Sequence, residues 1–250
     1  MCYHFALVKA KASDLINNKV VSLEKIKKLE DNYHISGFQN IACPVITNTE
    51  KDEFNFFEWG LIPNWTANIE KAEEIRKITL NAKAETVFEK PSFSESIISR
   101  RCLIPATGFY EWYTIKNGAK SYKYPYYISM QNDEMFVFGG IWDSYKNMET
   151  GQIIDSFSII TTQANELMAE IHNLKRRMPL IIPPEKACDW LVEDIKEEEI
   201  RDFMKPFDSE KMKAFTIGKQ ISSNQTEKIG IDIQKPVFYP ELQYKSQKLF

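Results

Sequence analysis

Histidine, cysteine and glycine are scarce in this chain: three, four and nine among 250 residues. With only His4, His34 and His172 to draw on, a histidine-rich metal site is not expected. Cys2, Cys43, Cys102 and Cys188 lie far apart with no CxxC pair, which argues against both a structural zinc centre and a disulfide framework. No apolar run reaches the roughly 18 residues that a membrane span requires. The start, Met1-Cys2-Tyr3-His4-Phe5, has neither the basic region nor the long apolar core of a signal peptide. These absences predict a cytoplasmic protein without cofactor, metal or membrane partner. Excess positive charge is missing too: the formal net charge is -3, so a tail-type nucleic-acid binder is not expected.

The length and the 43% hydrophobic residues suffice for a real core, and no repeat or linker divides the chain. Short apolar and aromatic runs read as strands: 3–9, 54–61, 101–105, 109–115, 124–130, 135–141, 153–162, 178–182 and 213–217. Hairpin turns are expected at Asn117-Gly118 and Gln131-Asn132-Asp133. Helical patterns cover 23–30, 69–79, 93–99, 163–171, 185–192 and 196–204. The strands do not alternate regularly with helices. The expectation is therefore an α+β fold over residues 1–250. It is a single domain with a mostly antiparallel, barrel-like β core surrounded by helices. The segment from about 219 to 250, broken by Pro236 and Pro240, is expected to wrap the surface.

Five places could carry chemistry. Cys2 follows the initiator methionine, and removal of Met1 would leave an amine and a thiol on adjacent carbons. Their reference pKa values, about 7.7–8 and about 8.5, make both usable near neutrality. Such a 1,2-aminothiol condenses with an aldehyde to an imine and closes to a thiazolidine. It can also act as a terminal nucleophile in amide hydrolysis. An incidental small residue is the alternative. Asn81 opens Asn-Ala-Lys-Ala-Glu-Thr: its amide could hold an amine or a carbonyl, or it could cap a helix. Glu111 sits in the aromatic run Gly108–Tyr113, on one face with Phe109 and Tyr113. A buried carboxyl there would have a raised pKa suited to acid–base work; an edge-strand glutamate would face water.

His172 precedes Lys175-Arg176-Arg177 and could move protons or hold phosphate, or simply complement a helix C-terminus. Trp59 and Trp65 flank Gly60 and Pro63, an aromatic loop that could stack on unpaired bases or belong to the core.

Taken in order, Met-Cys, Trp-Gly-Leu-Ile-Pro-x-Trp, Asn-Ala-Lys-Ala-Glu-Thr, Arg101–Trp112, Ile160-Thr161-Thr162 and Ile171-His172-Asn173 with Arg177-Met178-Pro179 resemble the SRAP (SOS response-associated peptidase) family. The likeness runs from Cys2 to about Trp190. It implies a DNA damage response protein that loses Met1 and traps abasic sites in single-stranded DNA as a thiazolidine crosslink through Cys2. Asn81 would position the amine, Glu111 would shuttle protons, and His172 would contact phosphate or assist proton transfer and a lyase step. DNA contacts would fall to His4, Trp59, Pro63, Trp65, Lys83, Thr161, Arg176 and Arg177. A thiol autopeptidase activity is implied by the family name. The protein would be a monomer, nucleoid-associated when on DNA. Alternatives are a thiol peptidase acting on other proteins and a non-catalytic single-strand DNA damage sensor.

Three departures stand out. Tyr3-His4 replaces the commoner Gly-Arg, which leaves His4 as a pH-dependent substitute for a phosphate-holding arginine. Lys83 stands where arginine is usual, and Leu174, Lys175 and Arg176 are extra. The net charge also divides: residues 185–202 carry eight acids against three bases, which leaves the remainder at +2. The expectation is a locally basic groove with modest reversible affinity, retained on DNA mainly by the covalent bond.

Overall fold

The computed structural model describes residues 2–51, 53–222 and 230–242. Thirteen strands are found among them. The first seven are β1 (His4–Leu7), β2 (Asn32–Ser36), β3 (Ala42–Thr47), β4 (Asn55–Trp59), β5 (Asn81–Lys83), β6 (Arg101–Ala106) and β7 (Gly108–Asn117). Then come β8 (Lys120–Met130), β9 (Phe136–Lys146), β10 (Ile153–Gln163), β11 (Arg177–Pro179), β12 (Ile181–Ile182) and β13 (Met212–Thr216).

One sheet runs β13-β8-β7-β1-β2 and is antiparallel throughout. The other closes on itself: β10 pairs β4, β4 pairs β3, β3 pairs β6, β6 pairs β9, and β9 returns to β10. Closure leaves these five strands without free edges. Only the pairings of β10 with β4 and β5 are parallel. The fold is thus the expected α+β domain with a mostly antiparallel, barrel-like core.

Alternation assigns the faces. Phe5 and Phe109 point inward from the five-stranded sheet and meet Phe138 of β9 edge-on, with centroids 5.9 and 6.0 Å away. Phe136 meets Phe138 in the same way at 5.2 Å. These rings weld the sheet to the barrel. The outer face of the sheet presents Ala6, Tyr110 and Tyr127, which Ile217, Ile221 and Ile233 cover. The described part of the C-terminal segment therefore wraps a sheet face, held by the Ile217–Pro236 bridge and by Gln234, whose amide donates to the Tyr110 hydroxyl at 3.0 Å. Residues 223–229 and 243–250 of that segment lie outside the described residues.

Several expectations shift. The β7–β8 hairpin turns on Gly118-Ala119, because Asn117 pairs with Lys120, and Gly118 takes the positive φ (58°) that the turn needs. Gln131-Asn132-Asp133 is no hairpin: β8 belongs to the five-stranded sheet and β9 to the barrel, so this turn crosses between them. The helix expected at 163–171 covers Glu166–Ile171, since Asn165 accepts from the Met168 N–H as its cap at 2.9 Å. The helix at 185–192 resolves into a 3-10 turn, Pro184–Lys186, and a short helix, Ala187–Trp190. Strands β2, β3 and β5 lie outside the expected runs.

Arg101 is fully buried and, among the described residues, pairs with no carboxylate. Its guanidinium donates to the carbonyls of Trp190 (3.0 Å), Ile97 (3.1 Å), Ile98 (2.5 Å), Val192 and Glu193 (3.4 Å). It thereby joins the C-terminal ends of two helices, Ser94–Ser99 and Ala187–Trp190, to β6. Arg101→Met strands these carbonyls in the interior. The expected cost is about 3 kcal/mol or more, a fall of about 6–12 °C in a thermal melt; a change under about 2 °C would contradict the account.

Candidate active site

The site lies where the start of the chain meets β7. β1 pairs with β7 at Ala6–Gly108 and Phe5–Phe109, the latter two residues before Glu111 on that strand, and the Glu111 charge acts on the Cys2 thiol. The Cys2 thiol is buried and donates to the His4 carbonyl at 3.6 Å. Burial pushes its pKa up, and the nearby Glu111 charge adds to the effect. The sequence suggested a readily ionised thiol; at this depth the thiol is neutral.

Glu111 settles its own ambiguity. It is 4% exposed and inward-facing between Phe109 and Tyr113, not an edge residue in water. Burial pushes its carboxyl up to about 7, opposed by the Trp112 backbone N–H and the Lys175 charge. His172 caps the C-terminus of helix Glu166–Ile171, with its Nδ1 3.7 Å from Glu111 Oε1. That nitrogen lies 2.9 Å from the Arg177 carbonyl, which can only accept, so Nδ1 carries the proton and Nε2 is the acceptor nitrogen. Burial pulls the imidazole pKa down to about 4, with Lys175 and Arg177 acting in the same sense. His172 is therefore neutral at pH 7.

Asn81 caps no helix. It begins β5, opposite Ile159 of β10, and turns follow it. Both polar atoms of its amide are buried, and neither has a hydrogen-bond partner among the described residues. An unsatisfied buried amide costs about 1–3 kcal/mol, so its retention suits a group that receives a ligand. Neighbouring bonds link β5 to the His172 turn: Thr161 donates to the Ala82 carbonyl at 3.4 Å, and Arg177 donates to the Thr161 hydroxyl at 3.2 Å.

The proposed DNA contacts divide. Trp59 is core: it stacks with Phe157, meets Phe5 edge-on, and its indole N–H donates to the Leu80 carbonyl at 2.8 Å. Pro63 is buried, while Trp65 is 54% exposed. Thr161 is wholly buried and bonded within the sheet. Arg177 is taken up by Glu85 and by the Thr161 carbonyl (2.5 Å). His4 Nδ1 lies 3.0 Å from His34 Nε2, and burial drives its pKa down to about 3, so it offers no cation at neutral pH. Arg100 pairs with Glu95 and Asp143, and Arg101 is internal. Lys83, Lys175 and Arg176 remain exposed, on the segments that carry Asn81 and His172. Phe38 escaped the sequence reading; it is 65% exposed, 5.2 Å from the Tyr3 ring. A lone aromatic after the turn glycine Gly37 is the signal that could have marked it.

Among the described residues, no three or more His, Cys, Asp or Glu side chains converge as a metal site would require. No helix there is long and apolar enough to cross a membrane.

A family model for SOS response associated peptidase (SRAP) matches residues 1–224. The chain belongs to the SRAP family. It is 34% identical over 192 residues to the abasic site processing protein YoqW of Bacillus subtilis (strain 168), spanning 76% of this chain and 80% of that one. The abasic site processing protein YoaM of the same organism is 30% identical over 225 residues, 89% and 93% of the two chains. A crystal structure of a protein from Bacteroides thetaiotaomicron superposes with a TM-score of 0.80 at 36% identity, over 95% of this chain and all of that one.

In this SRAP chain the raised Glu111 pKa has a thermodynamic consequence. Between its ordinary value near 4.5 and about 7, the folded carboxyl holds a proton that the unfolded one has lost. The stability Glu111 contributes is therefore complete below pH 4.5 and is lost as pH rises through 7. Glu111→Gln, which cannot ionise, should gain on the wild type by about 3 kcal/mol between pH 4.5 and 8. Denaturant melts across that range check this; parallel stability curves would refute a buried, titrating carboxyl.

Proposed function

We propose that the chain processes abasic sites in single-stranded DNA by forming a covalent thiazolidine crosslink through Cys2. The observation that carries the proposal is the meeting of the Cys2 thiol with the buried Glu111 carboxyl and, 3.7 Å from that carboxyl, the neutral His172. The names of YoqW and YoaM support the same substrate class.

While Met1 is attached, the Cys2 nitrogen is an amide and cannot form an imine. Its removal frees an amine, which adds to the aldehyde of the ring-opened sugar and expels water. The thiol sulfur then adds to the imine carbon: one C–S bond forms, the thiol proton leaves, and the imine nitrogen gains a proton. A thiol held neutral by burial needs a base for this step. Glu111, near pH 7 in its affinity for protons, can give one to the departing sugar oxygen and take one from the thiol. Neutral His172 provides a second proton carrier beside it. The buried amide of Asn81 is chemically suited to orient the amine.

Exposed Lys83, Lys175 and Arg176 offer charge to the phosphates, and Trp65 and Phe38 offer faces for unpaired bases. With so few open cations, reversible binding is weak and the covalent bond retains the DNA. Lyase and autopeptidase steps would draw on the same three groups: Cys2, Glu111 and His172.

The test is a denaturing gel of the Met1-less protein with a single-stranded oligonucleotide carrying one abasic site. A heat-stable shifted band is expected, absent for Cys2→Ala. Glu111→Gln should slow its appearance by about 10²-fold. An adduct that persists in Cys2→Ala, as a lysine imine would, overturns the reading.

A further inference from the structure

We propose that Asn173 is a positioning residue of this site: its side-chain amide grips the Thr114 backbone of β7 and so holds His172 against Glu111. The amide oxygen accepts the Thr114 N–H at 3.1 Å, and the amide nitrogen donates to the Thr114 carbonyl at 2.9 Å. This two-way bond is what a neighbouring strand would supply.

The topology explains why a side chain supplies it. β8 lies along one side of β7, with Lys123 opposite Thr114. On the other side, among the described residues, β1 pairs with β7 only at Gly108 and Phe109. Thr114 lies beyond that pairing, and the amide replaces one rung of the ladder. A partly buried peptide group left unpaired there would carry a desolvation cost.

The placement joins the two halves of the site. Asn173 follows His172 directly, and Thr114 stands three residues beyond Glu111 on the same strand. The turn's own backbone bonds are Arg176 N–H to the His172 carbonyl at 2.8 Å and Lys175 N–H to the same carbonyl at 3.2 Å, and Ala164, just after β10, donates its N–H to the Arg176 carbonyl at 3.0 Å. They shape the turn without tying it to β7. Arg176 adopts a positive φ of 49°, a strained setting for a residue with a side chain. A turn lengthened by Leu174, Lys175 and Arg176 gains an anchor at its root through Asn173.

The role in chemistry rests on the crosslinking function proposed above, and the geometric role does not. Two measurements on the full chain separate them. The first follows the His172 ring by NMR as pH is varied. In the wild type the titration should centre near 4, set chiefly by burial, with the Lys175 and Arg177 charges acting in the same sense; Glu111 faces the ring 3.7 Å away. In Asn173→Ala the released imidazole should meet water and titrate closer to the ordinary 6.5. The second is the rate of adduct formation with abasic single-stranded DNA, together with its pH profile. Asn173→Ala should be slower by about tenfold, because a small displacement of a reacting group is enough.

Asn173→Asp keeps the acceptor for the Thr114 N–H but sets an oxygen against its carbonyl, and should be impaired in both measurements. It carries the test if Asn173→Ala fails to fold. An unchanged His172 titration in a folded variant would overturn the assignment. A wild type that forms no adduct would overturn the crosslinking reading instead, and the titration alone would then decide the role of Asn173.

Discussion

Desolvation is the constraint on which the centre of this molecule depends. The two sheets meet through aromatic side chains, and Glu111 is placed in that dry seam with Cys2 and His172 for company. Each group then takes the state that carries least charge. The thiol keeps its proton, the imidazole sheds its extra one, and the carboxyl is balanced near neutrality. Water would return each to its ordinary value. The protonation states of these groups are thus a property of the packing between sheet and barrel, and so is their cost, since an ionisable group is kept where an apolar one would fit.

Much of this was legible from the chain. Alternation in Gly108–Tyr113 correctly set Glu111 on the face of Phe109, away from Tyr110 and Trp112. The apolar runs marked most strands because their period of two survives in one dimension. What escaped depends on distant partners. Asn81 looks like a helix cap from its neighbours and becomes a strand only because β10 pairs with it. The ordered motifs identified a family, yet they could not tell which side chains face outward. Trp59 and Trp65 have similar local contexts, and only the barrel closure places one in the core and the other at the surface.

Charge shows the same gap between composition and structure. Arginines that sequence counting assigns to a basic groove are engaged by the protein itself. Arg100 answers Glu95 and Asp143, Arg101 answers helix carbonyls, and Arg177 answers Glu85 and Thr161. Lysines on turns are left to face solvent. A net count cannot separate cations that hold a fold together from cations open to a polyanion. Here the former include most of the arginines near the site.

The position of β1 has a consequence in time. It lies between β2 and β7, and β7 ends at Asn117. Until that strand emerges from the ribosome, the second residue has no sheet to be buried in. At about 5–20 residues per second, synthesis of the next hundred or so residues leaves Cys2 uncovered for several seconds at least. The removal of Met1 that the crosslinking proposal requires would fall in this interval: the topology leaves the second residue uncovered during translation and covers it when the central strand is locked in place.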